Sequence, residues 1–206
     1  MAVIQNFGVP TGSAAGVTLM PKLQYRFRVS FTNMGDGNLK SETTQNVISA
    51  SRPNLTHEEV VVDSYNSKMY LAGKHTWEPV TVVFRDDMNS HVIKALGSQL
   101  NKQVDHADQT SAISGSSYKF STKIETLDGN NGSESAPKPF DTWDLQGCFI
   151  SNIQYGDLNY ADSNMVQVTV TLRYDHALHT GPDGKDMLST IDASSNRSEV
   201  NAAGNS

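Results

Sequence analysis

Glu58 to Leu100 reads EEVVVDSYNSKMYLAGKHTWEPVTVVFRDDMNSHVIKALGSQL, and the changes of period within it decide the fold. Val60 to Tyr65 and Lys68 to Leu71 are short extended runs rich in strand formers, separated by Asn66-Ser67. Asparagine tolerates positive φ and bonds its own backbone, so the spacing predicts a hairpin. Gly73 is expected to break the chain. A third strand, Val80 to Phe84, follows, with Pro79 as its entry because proline cannot donate to a sheet ladder. Near Asp87 the period changes from two to about four. Asp86, Asp87, Asn89 and Ser90 crowd that start, as capping and the helix dipole favour. Val92, Leu96, Leu100 and Val104, with Ile93 beside them, then form one apolar stripe of a helix over Asn89 to Val104. Lys94, Gln99, Lys102 and Gln103 are expected on its other faces.

Working outward, Lys22 to Thr32 alternates strictly. Leu23, Tyr25, Phe27, Val29 and Phe31 point one way and Lys22, Gln24, Arg26, Arg28 and Ser30 the other, the pattern of a half-buried strand. At ~3.3 Å per residue it would span roughly 35 Å. Its basic face is expected to pair with acidic groups on a neighbouring strand. Asn33 to Asn38 is a turn by composition, and Asn46 to Ser51 a short strand closed by Arg52-Pro53. Tyr118 to Thr126 alternates again. Asp128 to Pro139 is a Gly/Ser/Pro loop, and Trp143 to Tyr155 a strand pair or one bent strand with Gly147 as a candidate bulge. Met165 to Tyr174 is the cleanest strand, with Val166, Val168, Val170, Leu172 and Tyr174 on one side. About seven or eight strands and one real helix make a mainly β chain, an antiparallel sandwich or barrel with one amphipathic helix.

The ends differ from the middle. Met1 to Met20 contains no charged residue. It reads either as an arm that orders against a neighbour or as a frayed terminus. After His176 the chain turns polar, with Met187-Leu188 and Ile191 as possible docking points. The sequence thus divides into an arm at 1–20, a β domain at 21–176 and a tail at 177–206.

Of the 206 residues 37% are hydrophobic, a low share for a compact domain, so part of the surface is expected to become buried only on assembly. The net charge of −6 offers no basic face for displacing counterions from nucleic acid. A single cysteine, Cys148, rules out an intrachain disulfide and reads as a buried thiol. No apolar run approaches the ~20 residues of a membrane helix, and the start lacks the basic region of a secretory signal. The expected location is therefore a cytoplasm, unless a larger particle carries the protein out.

No catalytic or cofactor signature can be assembled: no Gly-x-Ser-x-Gly, Walker loop, dinucleotide fingerprint or His-Glu-x-x-His. Among six histidines only His176-x-x-His179 is closely spaced, and it lacks a third ligand. Asp86-Asp87 reads as a helix cap. Glu58-Glu59 face opposite sides of a strand. Asn54-Leu-Thr56 is a chance sequon. No cofactor, metal or enzymatic activity is expected. Trp77 and Trp143 would have to be exposed platforms if the chain were instead a carbohydrate-binding module.

Three stretches carry a family likeness: Leu23 to Phe31; Asn66-Ser-Lys-Met-Tyr-Leu-Ala-Gly-Lys-His-Thr-Trp-Glu-Pro-Val-Thr-Val-Val-Phe-Arg-Asp-Asp87; and Trp143-Asp-Leu-Gln-Gly-Cys-Phe-Ile-Ser-Asn-Ile paired with Met165-Val-Gln-Val-Thr-Val-Thr-Leu-Arg-Tyr-Asp175. In order and type the chain resembles the contractile-phage (myovirus) tail tube family over about Lys22 to Asp175. The long uncharged arm, the Gly/Ser loop and the tail depart from that pattern. The resemblance implies hexameric rings whose strands join a continuous barrel, stacked inside a contractile sheath around a lumen for DNA ejection. Leu23, Tyr25, Phe27, Val29, Val166, Val168, Val170 and Leu172 would belong to the wall. Glu58, Glu59, Tyr65, Asn66, Lys68 and Tyr70 would make contacts between subunits or rings, and the helix would face the sheath or a neighbour. Implied partners are further copies of the chain, a sheath protein, baseplate or tail-initiator and tail-terminator proteins, and phage DNA passing without specific binding. No membrane is implied; the place is a virion tail assembled in the host cytoplasm. The tube of a phage-like bacteriocin or secretion machine shares the implied fold.

Overall fold

The computed structural model describes residues 22–35, 40–128, 139–181 and 187. The arm at 1–20, most of the Gly/Ser loop and most of the tail lie outside the described residues. In chain order the elements are β1 (Phe27–Thr32), α1 (Lys40–Gln45), β2 (Val47–Ala50), β3 (Leu55–Ser64), β4 (Ser67–Trp77), β5 (Val80–Arg85), α2 (His91–Gln103), β6 (Val104–Asp105), β7 (Thr110–Ser111), β8 (Phe120–Leu127), β9 (Pro139–Gln154), β10 (Gln167–Arg173) and β11 (His176–Thr180).

Seven strands form one antiparallel sheet in the order β1-β8-β9-β10-β5-β2, with β11 added on β9. The sheet is organised by β9, a single strand of 16 residues where a strand pair was one alternative. Its first part pairs with β8 and with β11, from His176 opposite Gln146 to Thr180 opposite Thr142. Its second part pairs with β10, from Arg173 opposite Phe149 to Thr169 opposite Gln154. The change of partner falls at Gly147, whose φ of +68 lies in the left-handed region that favours glycine. A Cβ there would sit 2.8 Å from Cγ of Asp175, in the step that carries the chain from β10 to β11. Thus β11 takes the sheet to Thr180, into a stretch that composition alone reads as tail.

The sheet curls over one core. Phe31 on β1 meets Phe84 on β5 with ring centroids 5.8 Å apart, although four steps of the sheet order separate the two strands. Alternate residues fill the interior: Val29 and Phe31, Val80, Val82 and Phe84, Phe120 and Ile124, Leu145 and Ile150, and Val168, Val170 and Leu172. Each such buried side chain contributes about 1.5–3 kcal/mol. Cys148 is fully buried among them, and burial pushes its thiol up to about 11.

β1 is shorter than its alternation. Arg26 N–H donates to Leu23 C=O at 3.2 Å, a turn that takes Leu23 and Tyr25 out of the strand, and Tyr25 is exposed. Phe27, Val29 and Phe31 of that alternation belong to β1. Val166 likewise precedes β10: it is exposed, and its carbonyl accepts from Asp86 N–H at 3.0 Å. Val168, Val170 and Leu172 are buried in β10. The basic face of β1 pairs with acids as expected, with Arg28 opposite Glu125 and its Nε donating to Oε2 at 2.6 Å.

α2 begins at His91, two residues after the expected Asn89. Ser90 takes a left-handed φ of 55 and makes no side-chain cap; Asp87 Oδ1 accepts from His91 N–H at 2.8 Å instead. Ile93 is exposed, and Val104 belongs to β6 rather than to the stripe. Gln99 and Gln103 face inward, against expectation. Gln99 is fully buried, accepting from Gly35 N–H at 3.0 Å and donating to Tyr118 C=O at 2.6 Å. Gln103 exchanges two hydrogen bonds with the backbone of Ile150, at 3.0 and 3.1 Å. An amide carries both a donor and an acceptor, so it can be buried where the strand leaves backbone groups to satisfy. Periodicity weighs such residues only as polar.

Candidate assembly surface

β3 and β4 stand apart from the main sheet as a ribbon of 10 and 11 residues. The ladder runs from Leu55 opposite Trp77 to Ser64 opposite Ser67. The bend is therefore Tyr65-Asn66, one residue earlier than the expected Asn66-Ser67, and Tyr65 rather than Asn66 takes positive φ, at 48. Ser67 Oγ donates to Ser64 C=O at 3.2 Å and closes the turn. Gly73 does not break the chain. It lies inside β4 in a bulge, where Gly73 and Lys74 together oppose Glu58 and the register shifts between His57 and Glu59. A Cβ on Gly73 would sit 2.9 Å from the Glu58 carbonyl oxygen, so glycine makes room for the bulge.

Directly opposed residues share a face. Val60 with Leu71 and Val62 with Met69 give an apolar patch on one face, flanked by Glu58 and by the Ser64–Ser67 pair. Val61 with Tyr70 and Asp63 with Lys68 give a mixed face, which Glu59 joins opposite Ala72. Glu58, Glu59, Tyr65, Asn66, Lys68 and Tyr70 are thus brought together on one element, and all are exposed. Lys68 and Asp63 approach at 3.8 Å, but with both well solvated the pair adds little. Sequence reasoning missed the apolar face itself. Its signal was present: four large apolar side chains alternate in two paired runs, with no further apolar run assigned to cover them.

Such a ribbon is marginal alone. An isolated two-stranded hairpin has too little burial for stability in water, and apolar patches of this kind mark contact surfaces. Its root is fixed by an aromatic cluster. Trp77 is buried against Tyr174 at 5.9 Å, His176 at 6.3 Å and Trp143 at 6.5 Å, and His75 and His57 continue the chain of rings up the ribbon. His179 stacks on Trp143 at 4.0 Å and hydrogen-bonds Asp141, which Lys22 also reaches at 3.3 Å. His176 and His179 therefore go to different tryptophans and do not converge on a common point. Among the described residues no group of three or more His, Cys, Asp or Glu side chains is placed to hold a metal. Both tryptophans are committed to this cluster rather than presented as a flat platform. Burial pushes the Tyr174 hydroxyl up to about 12, and among the described residues neither it nor Trp77 Nε1 has a hydrogen-bond partner.

Three strand edges complete the surface. Among the described residues β1 pairs only with β8, β2 only with β5 and β11 only with β9. Unpaired edges template association with further strands.

No protein-family model and no curated protein matches the sequence. Solved structures do match the fold. The anti-feeding prophage (AFP) cap, described as a tube-terminating cap, superposes with a TM-score of 0.60 at 16% identity, over 82% of this chain and 97% of that one. The sheath/tube terminator of PVC, an extracellular contractile injection system, gives 0.59 at 15% identity, over 79% and 99%. A chain of the AFP baseplate gives 0.56 at 18% identity, over 80% and 99%. The chain has a tail-tube-like fold.

At these identities the likeness concerns the fold alone. The tube-like fold accounts for the curled sheet and its helix. Among the described residues it leaves the apolar face of the ribbon and the free edges without a partner.

Proposed function

We propose that the chain is the tube subunit of a contractile phage tail. In this reading hexameric rings join strands edge to edge into a continuous barrel, stack inside a contractile sheath and form the conduit for DNA ejection. One observation carries it: a tail-tube-like fold bears a long ribbon with a solvated apolar face, a surface that only association buries. Joining free edges between copies removes the liability they pose to a single subunit. The role is structural, not enzymatic. Partners are further copies, the sheath protein, baseplate or tail-initiator proteins and the tail terminator. DNA passes without specific binding, and the net charge of −6 favours a wall that repels phosphates. The place is the virion tail, assembled in the host cytoplasm. The tube of a phage-like injection machine is a second reading, favoured by the AFP and PVC matches, and neighbouring capsid genes separate the two.

The test is negative-stain microscopy of purified protein with a nucleating baseplate, in which tubes or six-fold rings are expected. Monomers alone at high concentration refute the proposal. Reversing the charges at Glu58, Glu59 and Lys68 should weaken polymerisation more than folding; tubes that form normally with all three reversed remove the ribbon from the contact.

A further inference from the structure

We infer that the loop 155–166 between β9 and β10 is the seat for the ribbon tip of a second copy, which deepens the tube-subunit reading and rests on it. The loop is closed at its neck, where Gly156, at a φ of +62, lies against the Gln167 carbonyl so closely that a Cβ would come within 2.8 Å. It holds its shape through its own short polar bonds: Ala161 N–H to Asn159 Oδ1 at 3.1 Å and Asn164 N–H to Asp162 Oδ1 at 3.3 Å. Compact loops of this kind usually fill their middle with their own side chains. Here the middle is an open cavity of about 780 Å³. Leu158, Tyr160 and Met165 around it are 84%, 112% and 64% exposed. A shaped loop that keeps its apolar side chains in water lacks a partner.

The occupant follows from position and charge. Leu172 pairs with Val80 at the ribbon's end of β10, and Gln167 pairs with Arg85 at the loop's end. The root of the ribbon and the loop therefore lie at opposite ends of one seven-residue strand, roughly 20 Å long. Within a subunit they do not meet, since the ribbon from 55 to 72 and the loop are exposed throughout. Between copies, opposite ends can meet head to tail, and a heterologous contact whose rotation does not close repeats along a filament. The eleven residues of β4 reach roughly 36 Å, enough to carry the tip beyond its own root. The tip, 63–71, carries Tyr65, Met69, Tyr70 and Leu71, with Lys68 opposite Asp63 at 3.8 Å and both well solvated. The loop carries Asp157 and Asp162 and no basic residue. The seat thus offers apolar walls and two exposed acids to a tip that is apolar and presents the solvated ammonium of Lys68.

The test pairs charge swaps with crosslinking in assembled full-length protein. Asp157→Lys with Asp162→Lys should raise the protein concentration needed for stacking about tenfold or more, and adding Lys68→Glu should recover most of that loss. Circular dichroism and melting of each unassembled variant establish that it folds. Separately, Tyr65→Cys protein mixed with Tyr160→Cys protein should form a disulfide-linked dimer under mild oxidation of the assemblies, which neither forms alone. Stacking at unchanged concentration with the loop acids reversed, or assemblies that give no mixed crosslink, overturns this seat and leaves the tube reading standing. Wild-type protein that never assembles overturns both.

Discussion

Replacing Val60, Val62, Met69 and Leu71 together by threonine removes the apolar face of the ribbon while keeping a side chain suited to strands. The four residues are 48%, 38%, 53% and 48% exposed. That corresponds on the order of 80 Å² each and ~300 Å² in all, or at most ~8 kcal/mol if fully buried at 25 cal/mol per Å². Association orders side chains and the two bodies, so about half of that is a reasonable yield. A loss of ~4 kcal/mol raises the concentration needed for assembly by close to a thousandfold. The folded subunit should barely notice: the residues are half solvated, and surface changes of this kind cost about 0.5 kcal/mol or less each. Sedimentation velocity across a concentration series reads the first effect, and thermal melting of unassembled protein reads the second. Assembly at an unchanged concentration would refute the assignment of this face to an interface. A collapse of the melting transition would show that the face packs within the subunit instead.

Further outcomes follow from single residues. Gly147→Ala places a side chain at φ +68 and drives Asp175 away from Lys119, which it holds at 2.5 Å. It should cost about 1–3 kcal/mol and lower the melting temperature by roughly 2–8 °C, and adding Asp175→Ala should relieve the clash but not the backbone strain. Cys148, with its thiol raised to about 11 by burial, should resist alkylation at neutral pH in folded protein and react fully once unfolded, as mass spectrometry would show. Hydrogen bonds from the ring and the backbone N–H of His91 hold the Asp87 carboxyl below its ordinary value of 3.8. A depressed folded-state pKa means that its contribution is complete above that value and is lost as pH falls through the lowered one. Amide exchange at the start of α2 should therefore rise only in strong acid, and Asp87→Asn should abolish that dependence.

Much of this fold is legible in the sequence because burial alternates where strands are half covered. Val168, Val170 and Leu172 show it in β10, and Val80, Val82 and Phe84 in β5. Alternation fails where something other than burial sets the backbone. Leu23 and Tyr25 keep the pattern of β1, yet the Leu23–Arg26 hydrogen bond turns the chain before the strand begins. The residues from Leu55 to His57 and from Lys74 to Thr76 lack a buried face altogether, so the inner length of the ribbon near its root was invisible, as was β11 with its two histidines. α1 is too short and polar to show a period. The site was half legible. Glu58, Glu59, Tyr65, Asn66, Lys68 and Tyr70 do fall on the exposed ribbon, but which faces they share depends on a bulge at Gly73–Lys74, opposite Glu58, that only the paired register reveals.

The ladder between β1 and β8 joins Phe27 to Thr126, nearly a hundred residues apart in the chain, whereas the ribbon closes between Ser64 and Ser67. Local hairpins close in roughly 1–10 μs, while sheets built on distant partners wait on loop closure and fold in about milliseconds to seconds. A ribosome must also finish β8 and β9 before the first strand has anywhere to go. The two strands of the ribbon can therefore meet before the body exists, but their pairing persists only once the root at Trp77 is packed. During synthesis, nascent copies on one message are at risk of joining through their ribbons too early. Slowing that encounter, by dilution or by a chaperone holding the ribbon, should raise the yield of correctly folded subunit more than any change that strengthens the core.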